Sequence, residues 1–202
     1  MKTNDERLQD IYDFLDSLTR INPSDIPDID LYMDQVTTFM DSHLATSKRY
    51  GEEKILTKTM INNYAKNNLL PPPEKKKYSR NHILLLTFIY YFKNVVSFKD
   101  IEQLFSPISE KHFAPGSAPE LPELYKEIFS LEREQHKRLK EDVLAKFEAA
   151  SKTFDDAEGE DQEYLRLFAF ICELAFDVYL KKQMIELLTD ELRSETPPKK
   201  KK

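Results

Sequence analysis

The chain has 202 residues, a net charge of −6, 33% charged and 40% hydrophobic residues, three glycines and one cysteine, Cys172. That composition fits one or two small packed domains of the all-α class, and the lone cysteine excludes a disulfide framework and a CxxC metal or redox motif. The longest apolar runs are broken by Lys93, Glu173 or Asp177 well short of the roughly 20 residues a bilayer span requires, and no signal-peptide pattern precedes the acidic N-terminus, so the expectation is a cytoplasmic protein.

In chain order, Leu8, Ile11, Tyr12, Leu15 and Leu18 recur at helical spacing and predict an amphipathic helix that ends before Asn22-Pro23-Ser24. Residues 1–30 form this helix and a loop, ready to pack on the next segment or on another subunit. A second helix is predicted over Leu31 to Leu44, with Asp34 as cap, Val36, Phe39, Met40 and Leu44 inward, and an acidic outer face. A long connection, His43 to Lys54, follows it.

Thr57 is placed to cap a short third helix by accepting a backbone N–H two or three residues on, and Met60, Ile61 and Tyr64 mark its inward face. Lys58, Thr59, Asn62, Asn63 and Lys66 are left outside. These are side chains that reach DNA: Asn pairs with adenine in the major groove, and Lys with guanine or phosphate. Asn68 tolerates the left-handed conformation that ends a helix, and Pro71, Pro72 and Pro73 forbid continuation. The basic turn Glu74-Lys75-Lys76-Lys77-Tyr78-Ser79-Arg80 reads as a wing. Ser79 then caps an apolar helix, Ile83 through Phe92, buried on nearly all sides. Ser97 caps a further helix, Phe98 to Phe105, with Phe98, Ile101, Leu104 and Phe105 on one face.

Polar helix, proline break, basic turn and apolar helix follow in the order of a winged helix-turn-helix DNA reader over residues 31–108. The runs TKTMINNYAKNNLLPP, KKYSRNHILLLTFI and VSFKDIEQL resemble the DNA-binding domain of MerR-type transcription regulators. In that family a recognition helix ends in Gly-Leu-Leu-x-Pro before an Arg-Tyr wing. Thr57 matches the cap, Ile61 and Tyr64 the inward residues, Asn68 the helix-ending Gly, and Leu69-Leu70-Pro71 the exit. Asn62 falls at a usual Arg, Lys76 at the wing Arg and Tyr78 at the wing Tyr. The resemblance covers about fifty residues; the wing is shorter and the 43–54 connection longer than in typical members. The whole chain also resembles a bacterial domain family of unknown function with a MerR-like region. Together these resemblances imply a transcription regulator that binds double-stranded DNA through Lys58, Thr59, Asn62, Asn63, Lys66, Lys75, Lys76, Lys77, Tyr78 and Arg80.

Charge segregation points the same way. From Lys48 to His82 there are nine Lys or Arg against three Glu, a local charge of +6, whereas residues 1–47 carry −7 and the remainder −5. Counterion release makes affinity arise only where a basic patch touches the phosphates. Taken alone, Lys75 to Lys77 would be a solvated turn; its place after the capped helix favours phosphate contact.

Residues 109–121, with Phe113-Ala114-Pro115-Gly116-Ser117-Ala118-Pro119, read as a linker. Residues 122–195 read as an αα-hairpin around the acidic turn Asp155 to Glu160, its first helix carrying Leu124, Ile128, Leu131, Leu139, Val143, Phe147, Ala150 and Phe154 as an imperfect seam. The second, apolar on most sides, needs a further partner, and a homodimer supplies one. Phe168, Phe170, Phe176 and Tyr179 read as core, with a pocket for an unknown small-molecule effector as the alternative. Residues 196–202 read as a disordered basic tail. His43, His82, His112 and His136 are scattered, and GxGxxG, P-loop, GxSxG and HExxH motifs are absent, so no enzyme, cofactor or metal is expected. The functional alternative is a helical protein–protein interaction module that uses the same winged helix without DNA.

Overall fold

The computed structural model describes residues 2–195; the basic tail read at 196–202 lies outside them. The fold is all-α: α1 Asn4–Ser17, α2 Met33–His43, α3 Lys58–Lys66, α4 Arg80–Phe92, α5 Phe98–His112, α6 Leu121–Ser151 and α7 Gly159–Glu195, with two short strands, β1 Leu31–Tyr32 and β2 Lys77–Tyr78. The strands pair antiparallel, Leu31 opposite Tyr78 and Tyr32 opposite Lys77. Two compact units are present, and they are not the linear segments expected. One joins the chain up to Leu18 to Phe129–Gln183; the other joins Thr19–Ile128 to the stretch from Met184.

In the second unit α4 is the centre. Ile83, Leu84, Leu85, Leu86, Phe88 and Ile89 are all buried, which is why its sequence is apolar all round. Val36 and Met40 of α2, Ile61 and Tyr64 of α3, and Ile101 and Phe105 of α5 are buried with them. The first two turns of α6 belong to this core as well. Leu121 and Tyr125 are buried, the Tyr125 hydroxyl donates to the Ile21 carbonyl at 2.6 Å, and its ring meets Phe88 edge-on at 5.2 Å. Residues 109–121 are therefore no linker between domains. They comprise the last turn of α5 and a turn over 113–120 within one unit, held where Asn81 Nδ2 donates to the Phe113 carbonyl (2.7 Å) and the Gly116 N–H to Glu120 Oε1 (2.8 Å).

Several local expectations need correction. α2 begins at Met33 with Tyr32 as cap, and the Tyr32 N–H donates to Gln35 Oε1 at 2.8 Å; Asp34 is turned to α3 instead. α5 runs to His112, past the expected end at Phe105 and through Pro107, because Ile101 and Phe105 bury its face at the loss of one backbone bond. Phe98, expected inward, is 38% exposed; its ring stacks over Tyr64 with centroids 6.1 Å apart. Met60, also expected inward, lies exposed on α3.

In the first unit α1 packs with the later part of α6 and the earlier part of α7, so the expected hairpin is a three-helix assembly. Val143, Ala150 and Phe170 form its buried centre, surrounded by Leu8, Ile11, Tyr12, Leu139, Phe147, Ala169 and Leu174. The predicted seam thus holds over Leu139 to Ala150, whereas Leu131 and Phe154 are exposed. α1 opens on a capping box: Thr3 Oγ1 accepts the Glu6 N–H, and Glu6 Oε2 accepts the Thr3 N–H at 2.7 Å.

Candidate nucleic-acid interface

α3 has nine residues, too few to be stable alone in water, so its ends and its buried side hold it. Thr57 Oγ1 accepts the Met60 N–H at 3.2 Å. At the other end Asn68 takes a φ of 58°, and the Leu69 and Leu70 N–H groups both reach the Tyr64 carbonyl, at 2.9 and 3.2 Å. Leu69 and Leu70 are buried immediately beyond. With Ile61 and Tyr64 inward, the side chains of Lys58, Thr59, Asn62, Asn63 and Lys66 face solvent.

The exit of α3 is fixed to the start of α4 by one side chain. His82 Nδ1 accepts the Ser79 N–H at 2.9 Å and sits 2.8 Å from Ser79 Oγ, while Nε2 lies 3.1 Å from the Pro71 carbonyl. Because Nδ1 accepts a backbone N–H, the proton of the neutral ring sits on Nε2 and donates to Pro71. Burial holds the His82 pKa below its ordinary value, partly offset by the Pro71 carbonyl and by Asp30.

Between these anchors the basic segment forms a tight hairpin. The Lys77 N–H donates to the Glu74 carbonyl at 2.9 Å, and both intervening residues have positive φ, 49° at Lys75 and 66° at Lys76. That is the signature of a two-residue type I′ turn, whose preferred sequence is Asn-Gly. A non-glycine residue in this region is disfavoured by roughly 1–2 kcal/mol. Lys75 and Lys76 are exposed, and no ion-pair partner for either stands among the described residues.

α2 brings the two basic elements together. Lys58 at the start of α3 pairs with Asp34, and the Lys77 ammonium lies 5.3 Å over the Tyr32 ring. Tyr32 and Asp34 are two residues apart, so the start of α3 and the exit of the turn meet the same end of α2. The acidic side of α2 is thus not turned away from the candidate interface, as its pattern suggested. The long connection is also tied down. Asp41 binds Lys48 at 2.7 Å, accepts the Ile55 N–H at 3.2 Å and lies 3.6 Å from Lys54; its carboxyl is held below the usual range, first by the Lys48 bond.

These contacts divide the ten predicted site residues. Tyr78 is buried, its hydroxyl pKa raised by desolvation, so it is a core residue and cannot reach DNA without unfolding the strand pair. Arg80 is a tie: Nη2 donates to the Pro23 carbonyl at 2.7 Å, and Nη1 lies 3.7 Å from Asp28. Lys77 is half-buried on Tyr32 and Lys58 is paired, which leaves Thr59, Asn62, Asn63, Lys66, Lys75 and Lys76 as the unengaged set. The +6 island is therefore weaker at the surface than its sequence count. Sequence reasoning missed Met60, whose exposure adds an apolar contact to the outer face of α3; its position one residue before Ile61, at the edge of the helical stripe, was the available signal. Phe168, Phe176 and Tyr179 are exposed on α7, and only Phe170 is core, so that aromatic set does not converge on a pocket.

The family profile described as a domain of unknown function, DUF1836, matches residues 21–128. No curated protein and no solved structure matches the chain. The matched region coincides with the main segment of the second unit, from the Ile21 carbonyl that Tyr125 holds to the end of the α6 turns that hold it. Since that region covers just over half of the chain and contains α3, the basic turn and α4, the protein belongs to the DUF1836 family.

Proposed function

We propose that this protein is a sequence-specific DNA-binding transcription regulator acting as a homodimer, with α3 in the major groove and the turn 74–80 on the phosphate backbone, the arrangement its resemblance to MerR-type winged helices implies. The observation that carries the reading is the turn. Two lysines occupy the positions where Asn-Gly is favoured, in backbone conformations that disfavour them, and both ammonium groups stand free. Local strain maintained without a packing reason marks a functional segment, and two adjacent free cations next to a helix presenting Asn62 and Asn63 suit phosphate and base contacts.

The dimer is supported by α7. Within the first unit Tyr164, Phe168, Phe176, Val178, Tyr179 and Leu180 are 52% to 66% exposed. At the ~150–250 Å² a large aromatic side chain covers, such a patch amounts to several hundred Å². A monomer rarely leaves that many large apolar side chains bare along one helix, and a second copy would cover those that share a side. A second copy also sets two α3 helices on one DNA, so that a few base pairs read by each combine into a specific site.

The test is selection of bound fragments from randomised duplex DNA, followed by affinity at several salt concentrations. Lys58, Lys66, Lys75 and Lys76 in both subunits predict a log–log salt slope of about −7, on the order of a ten-thousandfold loss between 50 and 200 mM salt. Lys76→Ala lowers that slope by about 2 per dimer, and Asn62→Ala reduces preference for the selected site over random DNA. A folded protein that enriches no sequence overturns the proposal. One observation favours the interaction module instead: Asp28, Asp34 and Glu74 lie beside the basic residues, and a protein partner tolerates such mixed charge better than a phosphate backbone does.

A further inference from the structure

The first unit contains a cavity of about 260 Å³ between α1, α6 and α7. Its walls are apolar, with Ile11 from α1, Phe147 and Ala150 from α6, and Leu167, Phe170 and Leu174 from α7. Polar groups gather only at the mouth. Most of them are engaged: Asp10 pairs with Lys2 at 2.6 Å, Asn4 Nδ2 donates to the Glu163 carbonyl at 3.0 Å, Ser151 Oγ donates to the Phe147 carbonyl at 2.8 Å, and Arg166 reaches the Thr153 carbonyl at 3.0 Å and Asp155 at 2.9 Å.

Arg7 differs. Its Nη1 donates to the Lys2 carbonyl and lies 3.4 Å from Asn4 Oδ1, while Nε and Nη2 make no hydrogen bond among the described residues. The guanidinium therefore retains an unused edge, which suits a carboxylate in bidentate fashion. Arg7 and Leu167 also line an adjoining depression of about 520 Å³, where Lys2, Thr3, Glu160, Gln162, Glu163 and Tyr164 set several polar and charged groups around a surface that is mostly apolar. Arg7 thus stands where the two depressions adjoin, and it carries a positive charge to the edge of the more apolar one.

We propose that this cavity binds a small apolar monocarboxylic acid, its hydrocarbon among Phe147, Phe170 and Leu174 and its carboxylate on Arg7. Size limits the body: a cavity of about 150 Å³ takes up benzene, so this one suits a substituted ring or an acyl chain of roughly six to ten carbons. Charge limits the head. Lys2 is held by Asp10 and Arg166 by Asp155, which leaves Arg7 as the cation for one carboxylate, while Glu160 and Glu163 in the adjoining depression disfavour a phosphate dianion. All of these residues belong to the first unit, so the inference stands independently of how the second unit acts.

Calorimetric titration of the full chain with hexanoate, octanoate and decanoate, and with the matching 1-alkanols, tests it. Expected are one site per chain, a gain of about fourfold per added methylene, and octanoate bound at least tenfold more tightly than 1-octanol. Arg7→Gln abolishes that preference, and Arg7→Lys restores part of it. The proposal is overturned if no acid binds at millimolar concentration, if acids and alcohols bind alike, or if Arg7→Gln leaves their ratio unchanged.

Discussion

Replacing His82 tests the link between the exit of α3 and the start of α4. His82→Ala leaves the Ser79 N–H and the Pro71 carbonyl without partners in a partly buried site, at up to about 1–3 kcal/mol each. It also removes edge contacts to Tyr78 (5.3 Å) and Phe113 (4.7 Å), each worth about 0.5–1.5 kcal/mol. With partial relaxation the loss is about 3–5 kcal/mol, a large share of a stability of roughly 5–15 kcal/mol. The pH dependence follows from the same contacts. Burial lowers the folded pKa of His82 below its ordinary 6.5, so the unfolded chain binds the proton first. Stability is full above pH 6.5 and declines as pH falls from there toward the folded value, by at most about 1.4 kcal/mol per pH unit. Urea unfolding followed by circular dichroism at pH 7.5, 6.5 and 5.5 measures this. His82→Gln is less stable throughout, but between pH 6.5 and 5.5 it loses less than the parent chain, by at most about 1 kcal/mol. Parallel losses in the two proteins across that interval would refute the assignment of His82 as a buried neutral clamp.

Thr57→Ala removes the cap on α3 and lowers stability by about 1 kcal/mol in the same unfolding assay. The double change Lys75→Asn with Lys76→Gly gives the turn its favoured sequence; melting temperature rises while DNA affinity falls, and unchanged affinity would return the lysines to a solvated turn. Phe168→Glu with Phe176→Glu puts charge on the exposed face of α7, so that sedimentation at micromolar concentration shows a monomer with unaltered helix content. A parent chain that is itself monomeric there removes the basis for the dimer.

What could be read from the sequence was set by local chemistry. Thr57, Asn68 and the three prolines define α3 through bonds and φ values that depend on near neighbours, and the helix stands where they place it. Ile83 through Ile89 announce burial by being apolar at every position. Tyr78 misled because its type suits both a DNA contact and a core, and the choice was made by the pairing of β2 with residues more than forty positions earlier. The same holds for Arg80, whose acceptor at Pro23 is 57 residues away, and for Asp34, which caps nothing and pairs with Lys58. The 109–121 linker was misread for a related reason. Pro, Gly and Ser mark a turn, but whether that turn separates domains depends on where Tyr125 docks, and no local pattern encodes the Ile21 carbonyl it finds.

The cations of the basic island differ in what recruiting each to a phosphate would disrupt. Lys66, Lys75 and Lys76 give up nothing but water. Lys58 must leave Asp34, yet both side chains are more than half exposed, 59% and 75%, and an exposed pair of this kind is worth about 0–1 kcal/mol, so a phosphate displaces Asp34 easily. Lys48 is different, being 12% exposed on an Asp41 that also accepts the Ile55 N–H; withdrawing it would loosen the connection leading into α3. Arg80 would have to abandon a carbonyl that anchors the segment before β1. The cations that bind DNA in the proposed complex are thus the ones whose removal leaves the fold intact, and Lys58, Lys66, Lys75 and Lys76 can be changed to alanine together without unfolding the unit that carries them.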